Sequence, residues 1–135
     1  MKKILFGILL YIGLVSNALA APAVAPYYWN VWEVASSNNN YRENVLYKSS
    51  TTDDHGGIIQ FSVVIKGGWT HSTYVLYNNS VVHPFKEYSY DLDNNDGIID
   101  TWLQIYEVYG DAGTVEVKDQ GSNGYLEVKD RLYIR

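Results

Sequence analysis

From residue 28 onward the chain consists of short runs of β-branched and aromatic residues, each closed by a cluster of Gly, Asn, Asp or Ser. Runs this short, repeated this often, read as strands and turns and leave little room for helices of several turns. The clearest run is 58–66, where Ile59, Phe61, Val63 and Ile65 alternate with Gln60, Ser62, Val64 and Lys66. A period of two sends the first set to one face of a sheet, toward a core. Further strands are expected at 28–35, 73–77, 80–83, 86–92, 98–109, 114–118, 125–129 and a terminal 132–134. Asn78-Asn79 supplies the tight hairpin turn between 73–77 and 80–83. One segment points elsewhere: Asn40 followed three residues later by Glu43 has the form of a capping box and predicts a helix over 41–48. The fold class expected is all-β, a small single-domain antiparallel β-sandwich, with a closed small β-barrel as the alternative. Its core would hold Trp29 or Trp32, Phe61, Val63, Ile65, Leu103 and Ile105.

The first twenty residues have a different character. The basic pair Lys2-Lys3, an apolar stretch over 4–15 and the small-residue exit Ala18-Leu19-Ala20 form a signal peptide, 1–20, with cleavage expected after Ala20. An Ala/Pro lead-in, 21–26, would follow and a single β domain would occupy 27–135. The short basic region and the exit favour a bacterial source and a secreted or periplasmic location. No later stretch approaches the ~20 apolar residues of a membrane span, so stable membrane insertion is not expected. Ten basic residues face 15 acidic ones, and cleavage removes Lys2 and Lys3, which deepens the acidic excess. That balance argues against nucleic acid, whose binding depends on cations displacing counterions from phosphates. Cysteine is absent, so core packing has to do what disulfides do in many exported domains.

Between Lys86 and Lys118 every charged side chain is acidic, and the block centres on Asp91-Leu92-Asp93-Asn94-Asn95-Asp96-Gly97-Ile98-Ile99-Asp100. Hard oxygen donors at alternate positions, followed by a glycine that permits a sharp bend, suit calcium. Asp91, Asp93, Asn95, Asp96 and Asp100 are the candidate ligands for a structural ion. The stretch resembles the Asp-rich loops of the EF-hand, dockerin and thrombospondin-type families, with a departure: Asp96 intervenes between Asn95 and the glycine, and no carboxylate stands twelve positions on. The competing reading is a plain turn in which Asn and Asp side chains hold local amides.

Of the three histidines, at 55, 71 and 83, none has the short spacing of a zinc site. His55, in Asp53-Asp54-His55-Gly56-Gly57, is the one a neighbouring carboxylate could orient for metal or base work, against the alternative of a polar turn. Neither a nucleophile motif nor a glycine-rich phosphate loop occurs, so no catalytic residue is assigned. Aromatics are abundant instead: 13 Tyr, 4 Trp and 3 Phe. Tyr88, Tyr90, Trp102 and Tyr106 alternate with polar residues and are the candidate ligand-binding rings of an exposed sheet face. The alternative is that they cover sheet surface through cross-strand pairing.

Two short segments, Gly113-Thr114-Val115-Glu116-Val117-Lys118-Asp119 and Gly124-Tyr125-Leu126-Glu127-Val128-Lys129-Asp130, repeat one another, as two strands in equivalent sheet environments would. Val31-Trp32-Glu33-Val34-Ala35-Ser36-Ser37-Asn38, followed by Asp54-His55-Gly56-Gly57 and a strand, resembles the YolA-type family of small secreted bacterial proteins. That resemblance implies export and small size and carries no activity. The function expected is a secreted non-catalytic binding module for a cell-surface, glycan or protein ligand. A secreted antagonist, either a hydrolase inhibitor or a small toxin, is the second class and an enzyme the third.

Overall fold

The computed structural model describes residues 24–93 and 95–135; the expected signal peptide and residues 21–23 lie outside them. The strands run in the order β1 (Tyr28–Ser36), β2 (Asn39–Asn44), β3 (Gly57–Lys66), β4 (Thr73–Tyr77), β5 (Ser80–Val82), β6 (Lys86–Tyr90), β7 (Thr101–Gly110), β8 (Gly113–Gln120) and β9 (Leu126–Ile134). They form a five-stranded sheet, β2-β1-β3-β7-β6, and a four-stranded sheet, β5-β4-β8-β9, with every strand pair antiparallel. Neither sheet closes on itself, so the fold is the expected sandwich and the barrel alternative falls away. Among the described residues no helix is long and apolar enough to cross a membrane.

The sheets meet on the alternating face of β3. Ile59, Phe61, Val63 and Ile65 are buried, facing Val75, Val115, Val117, Leu132 and Ile134 of the second sheet across one core. Phe61 stacks on Tyr106 of its own sheet, centroids 5.1 Å apart, and on Tyr77 of the other at 6.5 Å. Gly113 passes so close to Tyr77 that a Cβ there would lie 2.3 Å from the ring, so only glycine fits. The Asn78-Asn79 hairpin forms as expected, both residues at positive φ (50° and 66°), between Tyr77 and Ser80. The described end of the lead-in is anchored: Val24 O accepts the Gly68 amide and Tyr27 N donates to Lys66 O.

Three expectations fail. Residues 41–48 are not helical. Residues 39–44 form edge strand β2, in which Glu43 pairs with Val34, and Glu43 and Val45 both point inward, a period of two. Leu103 and Ile105 do not enter the core: the β3–β7 register matches Phe61 to Tyr106 and Val63 to Gln104, which sends Leu103 and Ile105 to the outer face. The third concerns the repeat, whose two segments pair as neighbours but in unequal surroundings. Val115 and Val117 are buried in an interior strand, while Leu126 and Val128 stand exposed on an edge.

Candidate ligand-binding face

The site begins with a bulge. In Val31-Trp32-Glu33-Val34 the apolar valines are three apart, so a regular strand could bury only one of them. The β1–β3 register shifts between Val31 and Glu33, and both valines reach the core. The shift leaves Trp32 without a β3 partner and puts Glu33 opposite Ser62, on the outer face. Bulges commonly re-aim side chains in this way. The Val31 amide is taken up by Asp130 Oδ2 at 2.7 Å; burial pushes that carboxyl's pKa up, and the amide partly offsets the rise.

The outer face of the five-stranded sheet is then laid out in cross-strand rows. Tyr28, Lys66, Thr101 and Tyr90 form one; Asn30, Val64, Leu103 and Tyr88 the next; Glu33, Ser62, Ile105 and Lys86 the third; Ala35, Gln60 and Glu107 the fourth. Three hollows lie along these rows. The first, about 440 Å³, is framed by Tyr28, Trp32, Leu46, Val64, Tyr90 and Leu103 and is strongly apolar. The second, about 310 Å³, shares Trp32 and Leu103 with it and adds Arg42, Gln60 and Ser62. The third, also about 310 Å³, shares Ala35 and Gln60 with the second and adds Ser37, Ile58 and Glu107.

Of the four rings expected to bind ligand, two stand on this face. Tyr88 and Tyr90 are exposed on edge strand β6, beside Leu103 and Thr101. Trp102 and Tyr106 are on the opposite face: Trp102 packs against the core with Nε1 donating to Gly67 O (3.1 Å), and Tyr106, only 3% exposed, donates to Gln104 Oε1 (2.6 Å). Burial drives the Tyr106 hydroxyl pKa far up. The rings missed by the sequence reading are Tyr28 and Trp32. The Val-x-x-Val spacing around Trp32 was the available signal for the bulge that presents it.

The acidic loop is occupied by its own backbone. Asp91 Oδ2 accepts the Gly97 amide (2.6 Å), Asp96 Oδ1 that of Ile98 (2.9 Å), and Asp100 those of Leu92 and Asp93. Partial desolvation opposes ionisation of Asp100, but the two amides and the Thr101 hydroxyl outweigh it and hold its pKa at about 2. Asp93 accepts from Tyr27 OH and from Lys66 Nζ. Asn95 sits at positive φ (49°) in the turn. Among the described residues no group of three or more acidic or histidine side chains is placed to share one ion, and the bonds of Asp91, Asp96 and Asp100 are those of the plain-turn reading.

His55 is no surface turn residue. Its ring is 0% exposed and lies 3.2 Å from Glu43 Oε2 through Nε2 and 3.1 Å from Ser36 Oγ through Nδ1. Neither Asp53 nor Asp54 is the partner; Glu43, twelve residues back, is. Burial works against ionising Glu43, yet the Thr52 amide (2.6 Å), the His55 ring and the Asp53 amide (3.3 Å) together lower its pKa to about 2. The two motifs that carry the YolA-type resemblance pack together here, with Ile58 N donating to Ser37 Oγ and Asn38 N to Gly56 O.

Fold and face together define a two-sheet sandwich with one hollowed, aromatic outer face. The chain belongs to the family described as Domain of unknown function (DUF4879), whose model matches residues 21–134. No curated protein and no solved structure matches it.

Proposed function

We propose that this chain is an exported, non-catalytic binding module that holds a glycan against the outer face of its five-stranded sheet. The observation that carries the reading is the apolar hollow framed by Tyr28, Trp32, Tyr90 and Leu103 on that face. Most of the sheet's apolar residues are in the core, and a second apolar surface set with large, stiff rings is the usual form of a recognition site. Export is supported by the residues 1–20 pattern and by the family match beginning at residue 21. Tyr88 and Tyr90 remain in the site, joined by Tyr28 and Trp32; Trp102 and Tyr106 belong to the fold.

The test is retention of labelled protein on intact bacterial cells, peptidoglycan and insoluble polysaccharides. Trp32→Ala should release the protein from whichever surface holds it, and Tyr125→Ala, an exposed ring outside the face, should not. Retention unchanged by Trp32→Ala would sink the reading.

A second reading draws on the order Ser36–His55–Glu43, which is that of a nucleophile, a base and an orienting carboxylate. Its test is a fluorophosphonate adduct on Ser36 that disappears in His55→Ala. The fully covered imidazole favours a structural clamp.

A further inference from the structure

The three hollows adjoin one another as a trough along β3: Trp32 and Leu103 line both the first and the second, Ala35 and Gln60 both the second and the third. From Lys66 to Ile58 that strand advances about 26 Å, several sugar rings long. We infer that the trough takes an extended, uncharged polysaccharide chain lying along β3, with Trp32 as its central platform and Ser62 as the hydroxyl contact beneath it. This rests on the outer face being the binding site and adds the size, charge and direction of what binds there.

Four observations converge on that occupant. Ser62 is only 8% exposed, its Oγ has no hydrogen-bond partner, and it lines the middle hollow. A buried hydroxyl without a partner is costly, and a polyhydroxylated ligand seated above Ser62 would supply the bond once the Oγ, covered in the free face, turns toward it. Charge is the second. The ions along the trough are already paired within the protein, Arg42 with Glu33 at 3.4 Å and Lys66 with Asp93 at 3.2 Å, while Glu107 accepts from Gln60 at 3.0 Å. Arg42 and Lys66 are thus balanced and Glu107 keeps its negative charge, so among the described residues no unpaired cation lines the trough to select an anionic polymer, whereas amide and carboxylate edges remain to meet sugar hydroxyls.

The third is backbone pairing. The central strand of the floor, β3, is paired along its length with β1 on one side and β7 on the other. An extended peptide laid there would find no free backbone edge and would leave its own amides unmatched, unlike a strand added at a sheet edge. The fourth is shape. Tyr28 and Tyr90 flank one end of the trough from a single cross-strand row and Trp32 stands further along it, all three on strands and not on loops, which gives flat rings fixed positions for pyranose faces.

Calorimetric titration with uncharged, unbranched glucan and N-acetylglucosamine oligosaccharides of increasing length tests the inference, with polygalacturonate and extended peptides as the other arms. Affinity should climb with each added sugar and level off once the trough is filled. Trp32→Ala should weaken binding about 10- to 100-fold. Ser62→Ala should weaken it several-fold while the melting temperature holds or rises, because an unsatisfied buried hydroxyl has been removed. Gln60→Ala should weaken only the longer oligosaccharides. Tyr90→Ala, an exposed edge position, answers the same question as Trp32→Ala if the latter fails to fold. Equal affinity for one sugar and for a long chain would overturn the polymer inference and leave the face reading standing, as would binding confined to polygalacturonate. A bound oligosaccharide indifferent to Trp32, Ser62 and Tyr90 would overturn the face reading as well.

Discussion

The sandwich carries two polar constellations of opposite kind. At one end of it the buried Glu43 and His55 are bonded to each other and His55 to the half-buried Ser36, with the Thr52 and Asp53 amides completing the carboxylate's shell. Along the outer face of the five-stranded sheet Trp32, Tyr90 and Leu103 line open space and Ser62 Oγ is unbonded. A group whose bonds are complete within the chain stabilises the fold, whereas a group whose bonds are incomplete is available for a ligand. The acidic loop, which as a sequence looks the most functional part of the molecule, falls largely with the first kind: Asp96 and Asp100 are engaged by amides of the same loop and Asp93 by Tyr27 and Lys66, while Asp91 uses one oxygen on the Gly97 amide and leaves the other without a partner.

That contrast can be broken most forcefully at Glu43. Glu43→Ala leaves a buried ring and two amides unmatched and should cost about 3–5 kcal/mol in urea unfolding; a loss below 1 kcal/mol would erase the distinction. Next in size is the mirror experiment on the face. Trp32→Ala should lower ligand binding by about 1–3 kcal/mol and stability by less, so that the two variants have opposite signatures.

Acid should discriminate as well. The folded pKa of Glu43 is about 2 against an ordinary 4.5, so its stabilisation is complete above pH 4.5 and disappears as pH falls from there toward 2. Its share is about 1–3 kcal/mol. Asp100, also depressed to about 2, acts in the same direction over the same window, while Asp130, its pKa raised by burial, opposes them on protonation. Urea midpoints at pH 7 and pH 3 should therefore differ in wild type and differ less in Glu43→Gln, where Asp100 still titrates. The smallest effect is expected from calcium: melting curves with millimolar Ca²⁺ and with chelator should superimpose, and Asp93→Ala, which loses exposed contacts to Tyr27 and Lys66, should cost under about 1 kcal/mol. A calcium-dependent rise abolished by Asp93→Ala would return the loop to the class of ligand sites.

The legibility of all this in the sequence follows from how local each signal is. β3 could be read because its two faces differ in chemistry, Ile59, Phe61, Val63 and Ile65 against Gln60, Ser62 and Lys66. β7 could not: in Trp102-Leu103-Gln104-Ile105-Tyr106 both parities are equally apolar, and only pairing with β3 decides that Tyr106 goes in and Leu103 out. Glu43 read as the capping-box partner of Asn40, because such a partner and a strand-borne carboxylate look alike until the distant His55 is in place. The aromatic excess pointed correctly to an exposed face and to Tyr88 and Tyr90 on it. Trp32 was hidden by a bulge that exists only once two strands are paired.

The strand order has a kinetic consequence. β3 does not pair with the strand that follows it; it must find β7 while β4 and β5 are set aside into the other sheet. Closing so large a loop before the β3–β7 ladder rewards it should place folding in the millisecond-to-second range typical of non-local β topologies. For that interval the alternating segment of β3, its richest apolar run, is an open template for another chain. In a refolding experiment, yield should accordingly fall with protein concentration, and a charged residue at Val64, on the outer side of the strand, should restore it.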